Sequence, residues 1–378
     1  MLSPKFVTEK SLTIVFYISG HGYGHAVRDI EIIRALLRKN QEAVVHVRTG
    51  AAQWLFDELS ERVVYHHREL DFGVHQQTSF SADREGTFRR YAELIERKEE
   101  LLRQEVAFLE QVRAEMVVSD ITPFAFDAAA RYGKPATAVG NFSWDWIYAD
   151  YLNDLPQFAF VVEDIRASYR QAARLLRIPF YGDMTAFTAI ENVPLAARQA
   201  GQPKALIRRN LGFTDTGRYV LLGLRINDFE GVDWRRAEQA PVTFVAVARE
   251  VPLKNCVNIV EGTLPFVNIL AACDAVLSKP GYSMVSEVIA NRTPLLYVPR
   301  RDFAEDPVLI QGLRDYAVCE ELPQEQFRAG DWSEALGRLL AKPAVWPIIR
   351  TDGAEVIAGK LLAGAPHRKR RNKFWVRA

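Results

Sequence analysis

Apolar runs too short to be helices recur along this sequence, each followed by a stretch with helical spacing. The alternation halts at a polar linker and then begins again. Such a pattern confines a chain to a parallel sheet covered by helices on both faces, here formed twice. A length of 378 residues also exceeds what one hydrophobic core usually supports, so size points to two domains as well. The expected α/β organisation is a Rossmann-like domain over 1–198, a second over 205–355, and a C-terminal helix and basic tail over 356–378.

In the first half, Leu12–Ile18 (LTIVFYI) has the composition of a buried strand and runs into a glycine-rich turn and a helix over 26–38. Further strands are expected over 43–47, 62–65, 116–119 and 136–139, with a segment over 190–195 closing the domain. Between them the spacing predicts helices over 53–59 and 124–132, one long amphipathic helix over 83–114, and a mostly helical 156–176. After the linker at 200–204, strands over 219–222, 242–247, 257–259, 275–277 and 294–298 alternate with helices over 266–272, 283–290 and 307–315. When two doubly wound sheets pair, their carboxyl ends face one cleft, and ligands bind there.

Charge and cysteine content narrow the function classes. A net charge of +1 argues against a broad nucleic-acid footprint. The exception is the basic end, residues 367–371 (HRKRR) with Lys373 and Arg377, which reads as a solvated tail. Weak contact with anionic lipid through Phe374 and Trp375 is its functional alternative. Cys256, Cys273 and Cys319 are widely spaced with no C-x-x-C, which suggests neither a disulfide framework nor a zinc site. The N-terminus is polar, and no run approaches the ~20 apolar residues of a membrane span. A soluble, cytoplasmic protein without a metal or bound cofactor is expected.

Four segments carry chemistry. The first is the turn SGHGYGH, Ser19 to His25. Its glycines, Gly22 among them, let backbone approach a ligand, and the helix that follows favours negative charge. A dinucleotide fingerprint would be G-x-G-x-x-G. Here His25 stands where that pattern needs glycine, which argues against a Rossmann oxidoreductase. An imidazole at this turn suits general-base work, with capping or packing as the plainer role. His21 and His25 are separated by the turn and share no helical face; His66, His67 and His75 have no carboxylate at ligand spacing and read as structural. The second segment ends a strand in Asp120, on the same rim, where a carboxylate orients an imidazole or caps the helix opened by Pro123. The third is NFSWDW, in which Asn141, Trp144 and Asp145 suit an acceptor sugar, or else Ser143 caps a helix and the tryptophans pack inside. The fourth runs from a strand through Lys279 and Gly281 into a helix, where free N–H groups can hold a pyrophosphate, and Glu287, one turn on, either reaches ribose or is a solvated helix residue. Beyond it, Glu305 and Asp306 bind sugar hydroxyls or cap the helix at Pro307.

The segments SGHGYGHAVRDIE, NFSWDWIYADY, SKPGYSMVSEVIA and RRDFAEDP together resemble the UDP-sugar-dependent glycosyltransferases of GT-B fold. Within that superfamily they resemble the glycosyltransferase-like N-terminal part of plant L-arabinokinase. The resemblance implies two Rossmann-like domains facing one cleft and transfer of a sugar from a nucleotide-sugar co-substrate. It assigns the general base to His25 and its orienting acid to Asp120. It places the phosphate turn at Gly281, Tyr282 and Ser283, the ribose contact at Glu287, and the sugar contacts at Glu305 and Asp306. The superfamily's usual Asp-Gln pair is Glu-Asp in this chain, with Gln311 further on, so donor-sugar identity stays open. Arg225 and Tyr282 flank the nucleotide in this reading. The absence of any D-x-D fits inverting, metal-independent transfer. A non-catalytic nucleotide-sugar-binding module, or an epimerase or hydrolase on the same scaffold, are the alternatives.

Overall fold

The computed structural model describes residues 11–78, 80–248, 250–260, 262–301 and 303–365. The first half contributes β1 (Leu12–Ile18), β2 (Ala43–Thr49) and β3 (Val63–His67), then a short antiparallel hairpin of β4 (Gln76–Thr78) and β5 (Ser81–Ala82). It continues with β6 (Met116–Asp120), β7 (Ala136–Gly140), β8 (Arg174–Arg177) and β9 (Ile190–Asn192). Apart from the hairpin, these form a seven-stranded parallel sheet in the order β3-β2-β1-β6-β7-β8-β9. The second half contributes β10 (Tyr219–Leu222), β11 (Thr243–Val247), β12 (Cys256–Ile259), β13 (Ala275–Ser278), β14 (Leu295–Tyr297) and β15 (Cys319–Glu321). They form a six-stranded parallel sheet in the order β12-β11-β10-β13-β14-β15.

Both sheets are doubly wound, and each reverses direction beside its first strand. The crevice beyond such a reversal is where open α/β sheets bind ligands. In the first sheet that point lies between β1 and β6, where Ile18 pairs with Asp120. In the second it lies between β10 and β13, where Leu222 pairs with Leu277. The glycine turn, Asp120, Arg225 and Lys279 therefore all project from switch points because of strand order.

Strand burial explains why the apolar runs were informative. Ile14 to Tyr17 are wholly buried, as a central strand covered on both faces requires. Four segments needed tertiary information. The helix expected over 83–114 is two helices, Arg84–Glu96 and Lys98–Val112, separated at Arg97. Lys98 pins the break with ion pairs to Asp127 at 2.9 Å and Asp164 at 2.8 Å. The helix expected over 156–176 begins with a 3-10 turn at Pro156–Phe158, continues as Ala159–Tyr169, and then yields to β8. Leu175 and Leu176 are buried between β7 and β9, and that pairing is invisible to local spacing. Strand β15 (CEE) carries no apolar signature and exists through its pairing with β14. The segment at 53–59 is a single 3-10 turn, Gln53–Phe56.

The chain ends by returning to the first domain. Helix Gly353–Ala363 buries Ile357, Ala358 and Leu361 in the core cluster that also holds helix Gly24–Lys39, and Glu355 pairs with Lys39 at 2.8 Å. The basic tail at 367–377 lies outside the described residues. Among the described residues no helix is long and apolar enough to cross a membrane.

Trp332 is fully buried in the second domain, stacked on Phe327 at 5.7 Å and edge-on to Phe244 at 5.5 Å. Replacing it by alanine leaves a cavity that the surrounding rings cannot refill. Denaturant unfolding of Trp332→Ala should show a loss of about 3–5 kcal/mol.

Candidate active site

The turn after β1 delivers His25 into the first turn of helix Gly24–Lys39, which starts two residues earlier than the apolar spacing predicts. His25 Nδ1 lies 3.0 Å from Asp120 Oδ1. Asp120 is fully buried, and Arg28 on the same helix grips it from the other side. Arg28 Nε donates to Oδ2 at 3.1 Å, and Nη2 reaches Oδ1 at 2.6 Å and Oδ2 at 2.7 Å. Arg28 is itself fixed by Asn141 Oδ1 at 3.1 Å and lies over the Tyr282 ring of the second domain at 4.9 Å. Burial alone would raise the Asp120 carboxyl. The Arg28 guanidinium and His25 overcome that and hold it well below the ordinary carboxylate range. Asp29 beside them is also fully buried, and burial together with the Asp120 charge raises its carboxyl well above its ordinary value. Asp120 does not cap the following helix; Thr122 occupies that position.

A second buried acid holds the loops around His25. Asp71 accepts from Ser19 Oγ at 2.5 Å and from Thr122 Oγ1 at 2.6 Å, tying the turn after β1 to the turn after β6. The His21 ring packs against Gly73, where an added Cβ would fall 2.4 Å from it. Behind both histidines stand rings from NFSWDW: Phe142 is 5.5 Å from His25, and Trp144 is 5.4 Å from His21. Trp144 is buried, so its role here is the packing one; no face is open to a sugar. Asp145 is likewise buried, 3.3 Å from Arg166. Ser143 occupies the helix N-cap position without a side-chain capping bond. His75 does have a carboxylate partner, Asp83 at 2.9 Å, and His46 and His66 bond each other at 2.9 Å.

The opposite wall is the turn after β13 and helix Tyr282–Asn291. Ser283 Oγ donates to the Gly24 carbonyl at 3.1 Å, so the N-termini of two helices from different domains meet at one gap. Lys279 and Arg225 flank the gap, and neither makes an ion pair among the described residues. Arg225 lies 5.5 Å from the Tyr23 ring, and an added Cβ on Gly22 would be 3.7 Å from its Nη2. Burial, opposed by Asp228 and reinforced by Arg300 and Arg225, brings Lys279 down to about 8. Burial and the nearby His25, Arg300 and Lys279 push His21 down to about 3 and keep it neutral. Lys279 and Arg225 thus stand without an ion pair, among the described residues, where the two helix dipoles already favour an anion.

The remaining acids have arginine partners that the motifs did not reveal. Glu287 is no solvated helix residue: it is buried, and its Oε1 accepts from Arg198 Nε at 2.6 Å. Asp306 uses both oxygens on Arg300, accepting from its backbone N–H at 2.8 Å and from Nε at 2.7 Å. Glu305 Oε1 accepts from Arg300 Nη2 at 2.8 Å, which leaves Oε2 buried without a hydrogen-bond partner. Neither acid makes a side-chain capping bond to the helix Asp306–Tyr316. Gln311 lies further along that helix, bonded to Asp315 at 2.8 Å, and faces a separate cavity instead of the Gly281 turn. The structure therefore gathers His25, Asp120, Gly22, Arg225, Lys279, Gly281, Tyr282 and Ser283 around one gap. Arg28, Asp29, Asp71, Arg198 and Arg300 were missed. For Arg28 the available signal was its place one turn after His25 on a buried helix face.

Two parallel doubly wound sheets whose switch points face one cleft define the GT-B architecture of glycosyltransferases. The chain superposes on CalG4, the calicheamicin glycosyltransferase, with a TM-score of 0.58 and 18% identity, covering 94% of this chain and 95% of that one. For UGT89C1 of Arabidopsis thaliana the TM-score is 0.60 at 17% identity, with 94% of each chain covered. For UGT2 of Phytolacca americana, complexed with UDP-2-fluoro-glucose and pterostilbene, it is 0.62 at 14% identity, with 95% of each covered. In sequence the chain is similar to L-arabinokinase of Arabidopsis thaliana, 31% identical over 347 residues and 88% of this chain. It spans about a third of that relative's length (32%). No family model matches the sequence.

Removing Arg28 would strand the Asp120 carboxylate without its main counter-charge. Arg28→Ala should lose about 3–5 kcal/mol of unfolding free energy. Adding Asp120→Asn should restore part of that loss, and a double-mutant cycle by denaturant unfolding measures the coupling.

Proposed function

We propose that this chain is a glycosyltransferase that moves a sugar from a nucleoside diphosphate sugar, with UDP as the nucleotide, to an acceptor hydroxyl. The observation that carries the reading is the gap where two helix N-termini meet between Lys279 and Arg225, with His25, bonded to Asp120, in the first turn of one of those helices. A nucleoside diphosphate is the ligand whose charge matches that gap, and departing diphosphate is the charge a transfer reaction must stabilise. In this reading His25 Nδ1 stays bonded to Asp120, and Nε2 takes the proton from the acceptor hydroxyl. The acceptor oxygen then bonds to the anomeric carbon as that carbon's bond to the diphosphate oxygen breaks. The electron pair leaves with the diphosphate, and one displacement inverts the anomeric centre. Lys279, Arg225 and the two helix dipoles meet the leaving charge, which makes the step independent of a metal. Glu287 keeps its second oxygen for ribose hydroxyls. At the sugar position, the unpartnered Glu305 Oε2 is the better candidate contact, because Asp306 is spent on Arg300.

With UDP-sugars as donors, His25→Ala should lower turnover by roughly 10²–10⁴ while leaving UDP affinity near the wild-type value. Full turnover in that variant would remove the base assignment.

Lys279 is charged below about 8 and neutral above, so calorimetric UDP affinity should fall as pH rises past about 8. Lys279→Ala should flatten that profile. A protein that binds no UDP at any pH would sink the donor-site reading.

A further inference from the structure

Beside the site just described, at the carboxyl ends of β8 and β9, lies a cavity of about 720 Å³ shared by both domains. That volume falls within the ~300–1,000 Å³ usual for small-molecule sites. We propose that it is a carbohydrate-binding site. Its role as the place where an acceptor sugar is held rests on the glycosyl-transfer reading above.

Two polar pairs face each other across the cavity. On the first-domain wall, Arg177 Nε donates to Asn192 Oδ1 at 2.9 Å, leaving the guanidinium end and the Asn192 amide nitrogen as donors. On the second-domain wall, Gln311 Nε2 donates to Asp315 Oδ1 at 2.8 Å, leaving the Gln311 carbonyl and the other Asp315 oxygen as acceptors. A hydroxyl both donates and accepts, so a polyol spanning the walls satisfies both pairs. An apolar aglycone would leave them unpaired at a desolvation cost. Tyr181 is 41% exposed; the Arg177 guanidinium covers one face of its ring at 3.7 Å, so only the opposite face can meet the C–H side of a sugar ring.

The floor of the cavity is strained. Phe180 adopts a φ of +61°, a left-handed conformation rare for a bulky residue, and its ring presses on Gly312, where a Cβ would fall 2.4 Å away. This conformation directs the Phe180 carbonyl to Asn141 Nδ2 at 3.3 Å, and Asn141 Oδ1 holds Arg28 at 3.1 Å. The cavity floor is thereby joined by two hydrogen bonds to Arg28, which holds Asp120, the partner of His25.

The test uses the full chain and methyl glycosides of glucose, galactose, xylose and arabinose, with binding read by saturation-transfer NMR. At least one glycoside should bind the wild type, and Tyr181→Ala and Asp315→Ala should each weaken it by about three- to tenfold. Both positions are exposed, and cooperative melting of each variant checks that it folds. UDP affinity, measured on the same samples, should not change. No glycoside binding, unchanged binding in both variants, or preference for 4-nitrophenol over every glycoside overturns the proposal. Glycoside binding that responds to the variants in a protein that binds no UDP would keep this site and discard the transfer reading.

Discussion

The buried Asp120 carboxylate is the point on which the cleft depends. An ion taken out of water there costs several kcal/mol unless it is paired and hydrogen-bonded, and Arg28 provides both. The same guanidinium reaches Asn141 in the first domain and the Tyr282 ring in the second. One charge pair thus fixes the imidazole of His25, the strand end that carries Asp120 and the approach of the two domains. Beside it, burial and the Asp120 charge push the Asp29 carboxyl upward while Arg28 and His25 hold Asp120 down.

The same pairing recurs around the cleft. Glu287 is held by Arg198, and Glu305 and Asp306 are both held by Arg300. Each of those acids has an arginine partner, and near the Gly281 turn Lys279 and Arg225 make no ion pair among the described residues, with Asp228 opposing the Lys279 charge. Two helix N-termini add their partial positive charge at the same gap. Fixed dipoles and cations aimed at one point hold an anion without reorganisation. Pairing with arginine also sorts the candidate sugar contacts, since Asp306 has both oxygens occupied and Glu305 retains one.

Much of this arrangement was legible in residue order. Alternating apolar runs and helical spacing located most strands of both sheets, because a strand buried on both faces must be apolar throughout. Glycines at the turn after β1 and at Gly281 marked where backbone comes close to a ligand. Other features carried no local mark. Strand β15 has the sequence CEE, and β8 lies inside a stretch whose spacing also suits a helix. Trp144 reads equally well as a sugar platform or a core residue, and only the surrounding chain makes it core.

Sequence alone determined the doubly wound class, the positions of the two glycine turns, and the placement of His25 after the first of them and of Asp120 at a strand end, because these follow from local periodicity and backbone freedom. Tertiary structure decided which charges compensate each other. Arg28 and Asp120 are 92 residues apart, and Arg198 and Glu287 are 89 apart. No local pattern joins such partners. Their pairing follows from strand order and from the cost of burying a charge alone, and both are properties of the folded molecule.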